Sequence, residues 1–193
     1  MNADLPTLSP RERILKTASS LFYNNGFRAI GIDRIIAESG VAKMTFYKHF
    51  PSKDNLIAES MHIATAQFWI WMNEITDAHE TPIQKLEAIF DSIAKVASGP
   101  QCMGCAYTHA AAEFPDLNHP GHAAALAYKQ KMLDKLLELS LASKARDPQG
   151  LAQDLMMVMD GAWIAVRMFG PEHYAARLGK TARILIAAQL RTT

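Results

Sequence analysis

Gly31-Ile-Asp-Arg-Ile-Ile-Ala-Glu-Ser-Gly-Val-Ala-Lys-Met-Thr-Phe-Tyr-Lys-His-Phe50 is the stretch on which the reading of the whole chain turns. Ile32, Ile35 and Ile36 give a short helix one apolar side. Gly40 then offers the residue type that takes the left-handed backbone at a helix end, and Val41 is placed to pack beneath the corner. A second short helix carries Phe46 and Phe50 four residues apart on one side. Met44 and Lys48, also four apart, fall about 200° around the axis from Phe46. If the two phenylalanines anchor this helix, the Met44–Lys48 side faces outward, flanked by Lys43, Thr45 and Tyr47. The spacing therefore predicts a helix-turn-helix motif over Ile32–Phe50 whose second helix has the size and polarity that a DNA major groove admits.

Upstream, Ile14, Ala18, Leu21 and Phe22 fall at i, i+4, i+7 and i+8 of a first helix. Ser9 with Glu12 has capping-box spacing, and Asn25-Gly26 supplies the stop. Together these elements predict a three-helix DNA-binding domain over residues 8–53. Charge supports the assignment. The 193-residue chain has 20 Lys+Arg against 19 Asp+Glu, a net charge of +1, so a cationic surface has to be local. Residues 1–56 hold eight of the basic and five of the acidic residues, and the remainder is net acidic.

Residues 54–193 read as helical throughout. The chain has 30 Ala, 18 Leu and 10 Met against four Val, which favours helix over sheet, and 49% hydrophobic with 20% charged residues excludes a disordered chain. Prolines at 10, 82, 120, 148 and 171 mark helix entrances. The predicted fold is all-α, with about nine helices near 11–25, 32–38, 42–49, 53–77, 82–98, 102–113, 120–143, 149–168 and 172–191. No apolar run approaches the roughly 18 residues of a membrane span, and the N-terminus lacks an apolar signal core, so the expectation is a cytoplasmic protein with no membrane partner.

Three features of this second part bear on function. The fourth helix carries Ile57, Met61, Ala64, Phe68, Trp71 and Ile75 as one stripe. Residues 155–169 contain only Asp160 and Arg167 as charges, and 182–190 is similar, so the last two helices are expected to meet a second copy of the chain. Met159, Gly161, Ala162, Ala165, Ala182, Leu185 and Ile186 are the candidate dimer residues. Phe68, Trp71, Phe90, Met103, Tyr107, Met132, Met156 and Trp163 are candidates for an apolar pocket that takes a hydrophobic effector, core packing being the alternative for each.

Cys102 and Cys105 with His109 have a spacing that zinc would accept, although a single Cys-x-x-Cys pair is weak evidence, and packed cysteines are the simpler reading. No cofactor and no metal is expected. No Ser/His/Asp order, phosphate-binding glycine loop or carboxylate pair stands out, so the expectation is not an enzyme.

The stretch from Gly31 through Phe50, followed by Pro51-Ser-Lys-Asp-Asn-Leu56, resembles the signature of the tetracycline-repressor (TetR) family of bacterial transcriptional regulators, over about residues 10–57. The resemblance implies that Lys43, Met44 and Thr45 approach bases or nearby phosphates. It implies that Tyr47 and His49 hold the DNA backbone, with Lys48 at the groove edge, and that Lys53 with the start of the fourth helix grips a phosphate. Gly31 departs from the family pattern where a hydroxyl cap is frequent, and Ile36 where alanine is frequent. The implied protein is a homodimeric regulator, a repressor released from a pseudo-palindromic double-stranded DNA operator by a small molecule that moves the reading units through the fourth helix. Two rivals remain at this point: a helical metal- or redox-dependent protein using Cys102, Cys105, His109 and Glu113, and a dimeric small-molecule carrier without DNA binding.

Overall fold

A computed structural model describes residues 8–172 and 174–190. Among them are nine α-helices and one 3-10 turn, with no strand: α1 Pro10–Asn25, α2 Ile32–Ser39, α3 Lys43–His49, α4 Lys53–Asp77, α5 Pro82–Ala97, α6 Ala106–Glu113, α7 Pro120–Ala142, α8 Pro148–Phe169, the turn Tyr174–Arg177, and α9 Leu178–Leu190. The all-α reading and the proline-marked starts of α1, α5, α7 and α8 are seen.

Two boundaries differ from expectation. The helix expected from 102 begins at Ala106, because Gly104 has φ +89, a conformation no helix interior contains. The helix expected over 172–191 begins at Leu178 after the 3-10 turn; positions 173 and 191 lie outside the described residues.

The chain forms two compact units that are not consecutive segments. The first comprises residues up to Ala66 together with Ala106–Leu126, and the second Gln67–Cys105 together with Ala127 onward. In the first unit, α1 starts from a reciprocal cap: the Ser9 hydroxyl accepts the Glu12 amide N–H at 3.3 Å while Glu12 accepts that of Ser9 at 2.8 Å. Ile14, Leu15, Ala18, Leu21 and Phe22 of α1 are buried with Ile35 of α2 and Phe46 of α3. Gly40 ends α2 at φ +65, ψ +32 and donates its N–H to Ile36, and Val41 is buried behind it.

In the second unit, α5, α8 and α9 share a core of Leu86, Ile89, Phe90, Ile93, Leu151, Leu155, Met159, Ala162, Ala165, Ala182 and Ile186. The Arg183 guanidinium of α9 holds Asp91 of α5 through both carboxylate oxygens, at 2.7 and 2.6 Å. Thr81 and Asp147 cap α5 and α8 by accepting the amide N–H groups of Gln84 and Gly150. No described helix is long and apolar enough to cross a membrane.

Candidate nucleic-acid interface

The side of α3 that faces the protein is fixed by Phe46 and Phe50, 0% and 1% exposed, whose rings lie 6.1 Å apart. Burying both rings contributes roughly 4 kcal/mol of transfer free energy, ample to hold a helix of seven residues against α1 and α2. The other side is therefore open. Met44 is 81% exposed, and Lys43 and Lys48 are exposed beside it. Thr45 is half-buried. Tyr47 is 42% exposed, its ring edge-on to Phe46 at 5.4 Å, which aims the phenol along the flank of the helix. His49 is half-buried, with its ring 6.5 Å from that of Phe50.

Charge on this surface is partly engaged within the protein. Lys43 Nζ lies 3.7 Å from Asp33 Oδ1, and both groups are well exposed, so the pair contributes little and yields readily to a stronger anion. Arg34 pairs with Glu38 on α2 at 2.8 Å, and Arg11 pairs with Glu59. Lys48 has no carboxylate within ion-pair distance among the described residues.

Lys53 opens α4, where the Ser52 hydroxyl accepts the Asn55 amide N–H at 3.1 Å. Its ammonium donates to the Arg28 carbonyl at 3.3 Å. Burial pushes the Lys53 ammonium below its ordinary value; Asp54 and Glu113 pull it the other way, and Arg28 adds to the lowering. Thus the seven candidate DNA-binding residues fall on α3 and at the first residue of α4, all within the first unit.

A further part of this site was not anticipated. The Glu113 carboxylate at the end of α6 accepts the backbone N–H groups of Phe27 at 3.0 Å and Arg28 at 2.7 Å, in the loop between α1 and α2. Gly26 stands beside it at φ +85, and a Cβ there would lie 2.8 Å from Glu113 Oε1. Phe114 continues the contact: its ring lies 5.8 Å from Phe27 and carries the Arg28 guanidinium 5.6 Å above it. His119 stacks on the same ring at 3.8 Å, accepts the Gly121 N–H at 3.1 Å, and turns its other nitrogen to Asp54 at 3.5 Å. His122 is bonded to the Phe114 carbonyl at 2.7 Å. Both histidines therefore hold backbone and rings in place at the head of α7.

Among the described residues no group of three His, Cys, Asp or Glu side chains is arranged to hold a metal ion. Cys102 and Cys105 are both buried and carry free thiols.

The pocket candidates differ in burial. Phe90 and Met132 are fully buried core, while Phe68, Trp71, Met103, Met156 and Trp163 are half-buried, all in the second unit. Phe68 has Trp71 at 5.6 Å and Tyr128 edge-on at 5.1 Å. Tyr107 lies in the first unit, with its hydroxyl 2.7 Å from that of Thr65. A depression on α9 is lined instead by Lys180, Arg183, Ile184, Ala187 and Ala188.

Of the dimer candidates, Met159, Ala162, Ala165, Ala182 and Ile186 are buried within the single chain, Leu185 is half-buried and Gly161 is exposed. The uncovered apolar side of α8 is Met157, Gly161, Ile164 and Met168, and Ile184, Ala187 and Ala188 are exposed on α9. A helix apolar nearly all round carries no periodicity to say which side looks inward. The expected stripe of α4 shifts for the same reason. Ile57 and Met61 are buried, but farther along it is Trp69, Met72 and Thr76 that are buried, rather than Trp71 and Ile75.

Comparison with known proteins identifies the family. Residues 14–60 match the family model of bacterial regulatory proteins of the tetR family. Among solved structures, a TetR-family transcriptional regulator from Streptomyces coelicolor is 32% identical. It aligns over 94% of this chain and 96% of its own at a TM-score of 0.90. A TetR-type regulator from Streptomyces avermitilis is 28% identical over 94% and 98% of the two chains, at a TM-score of 0.85. The transcriptional repressor KstR2 of Mycolicibacterium smegmatis is 24% identical over 180 residues, 89% of this chain and 85% of its own.

Proposed function

The chain belongs to the TetR family of bacterial transcriptional regulators, and from that membership we propose that it is a homodimeric repressor of a pseudo-palindromic operator, released by a small hydrophobic ligand. The observation that supports the reading best is the outward side of α3, where Met44 and Lys48 stand free of the protein while Phe46 and Phe50 tether the helix. Residues 8–53 serve as the DNA-binding domain and 54–193 as the ligand-binding and dimerisation domain. In this scheme Lys43, Met44 and Thr45 approach base edges or nearby phosphates, Tyr47 and His49 hold the DNA backbone with Lys48 at the groove edge, and Lys53 grips a phosphate. The two copies of α3 enter successive major grooves about 34 Å apart. The second copy is supplied through the exposed sides of α8 and α9, and the effector is held among Phe68, Trp71 and their neighbours in the second unit.

A gel shift with the full-length protein on the DNA flanking its own gene tests the reading. The expected result is a sequence-selective complex that weakens with salt, as phosphate contacts release counterions. The double variant Tyr47→Ala, Lys53→Ala should lose affinity for every duplex. Unchanged operator binding by that variant overturns the assignment.

A further inference from the structure

Met44 is the most exposed of the large apolar side chains in the described structure, at 81%, ahead of Met157 at 70%. Its setting differs from that of the others. Met157 and Met168 belong to a continuous apolar side of α8, where neighbours share the cost of exposure and a helical partner relieves it. Met44 stands among Lys43, Tyr47 and Lys48, at the second residue of the helix that presents itself to DNA. A thioether in that company neither pairs with a phosphate nor offers the donors by which a lysine such as Lys43 meets a guanine edge.

The major-groove floor displays hydrogen-bond donors and acceptors at every base pair and one apolar group, the C5-methyl of thymine. A flexible, polarisable side chain free of intramolecular packing suits that methyl, because its rotamers let it find the group without moving the helix. Phe46 and Phe50 hold the helix rigid behind it. We propose that Met44 reads a thymine methyl, so that each operator half-site carries a T·A pair facing the second residue of α3. The assignment rests on the DNA-binding reading above and adds to it the base that this one side chain selects.

The test uses the full-length protein and a site selected from a randomised duplex library. Synthetic copies of that site are made with each thymine of a half-site replaced in turn by deoxyuridine, which removes only the methyl group. The measured quantity is the ratio of affinities for the thymine and uracil duplexes within each protein, so any general weakening cancels. At one thymine the wild type should bind the uracil duplex roughly three- to ten-fold more weakly, the loss expected for one buried methyl contact. In Met44→Ala that ratio should fall below about twofold. Equal ratios in the two proteins, or no penalty at any thymine in the wild type, overturn the thymine assignment while leaving DNA binding intact. Failure of the wild type to select any site overturns both.

Discussion

The carboxylate of Glu113 accepts the backbone N–H of Arg28 at 2.7 Å across 85 residues of sequence, and with the N–H of Phe27 it forms a two-pronged clip on the loop that joins α1 to α2. That loop joins α1 to α2, and Gly40 in turn joins α2 to α3. Charge-assisted bonds to an ionised acceptor are the stronger class, so the clip fixes the loop more firmly than its partial exposure suggests.

Glu113→Ala should therefore lower the unfolding free energy by about 1–3 kcal/mol in urea titration. Glu113→Gln should recover part of it, since one oxygen still accepts while the amide N–H2 faces a donor. An unchanged transition midpoint in Glu113→Ala would show the clip to be idle.

Gly26→Ala should cost about 1–3 kcal/mol, because φ +85 is strained for any side chain and the new Cβ meets Glu113 Oε1 at 2.8 Å. The two defects share one contact. In a Glu113→Ala background the Gly26→Ala penalty should shrink, and a double-mutant cycle on the same denaturation curves measures the difference. Strict additivity would count against the shared contact.

In the DNA-binding role proposed for it, Lys53 would link operator affinity to alkaline pH. Its ammonium sits below the ordinary lysine value of 10.5 in the free protein, chiefly through burial, and an approaching phosphate favours the charged form and raises it again. Binding then takes up a proton wherever free Lys53 has begun to lose one. Operator affinity should fall as pH rises through the lowered value, and Lys53→Arg, which stays charged, should lack that component. Lys53→Ala should reduce the salt slope of log K by about 1. Parallel pH profiles for wild type and Lys53→Arg would refute the linkage.

At the start of α1, hydrogen bonds from the Ser9 hydroxyl and amide hold the Glu12 carboxyl below its ordinary value of 4.5. A depressed folded-state value means that the stabilisation is present above 4.5 and is lost as pH falls through the lower folded value. The difference in melting temperature between wild type and Glu12→Gln should accordingly narrow on acidification. A constant difference would show that the charge is not the source.

Placing a carboxylate on the exposed side of α8, as in Ile164→Glu or Met168→Glu, should weaken self-association at least about tenfold by sedimentation equilibrium, since an unpaired charge would have to be buried. Ala162→Ser, at a position already 7% exposed within one chain, should disturb folding rather than assembly. Dimerisation unaffected by both glutamates would place the interface elsewhere.

The reading helix was legible because its chemistry is segregated: Phe46 and Phe50 on one side, Met44 and Lys48 on the other, with a glycine at the corner. Helix starts were legible where proline follows a capping residue, as at Thr81-Pro82 and Asp147-Pro148. The inner and outer sides of α8 were not, since Met157 and Met159 look alike in a helix with two charges in its last fifteen residues. Glu113 gave no local signal either. A carboxylate that caps a distant loop differs in no way, as sequence, from one dissolved in water. Gly104 was visible but silent, because a glycine beside two cysteines does not announce the sign of its φ.

Where α3 reads the operator as proposed, its seven residues set an information ceiling on that operator. At 1.5 Å per residue the rod is about 10 Å long, the length of about three base-pair steps. In the proposed homodimer, two such windows would specify about six base pairs, a word that recurs by chance about once in four thousand positions, against the million or more competing sites a genome offers. Most of the addressing power must then come from the separation of the two windows and from the stiffness and groove width of the bases between and beside them. Operators of this protein should accordingly share a spacing and a flanking composition more faithfully than they share a lengthy consensus.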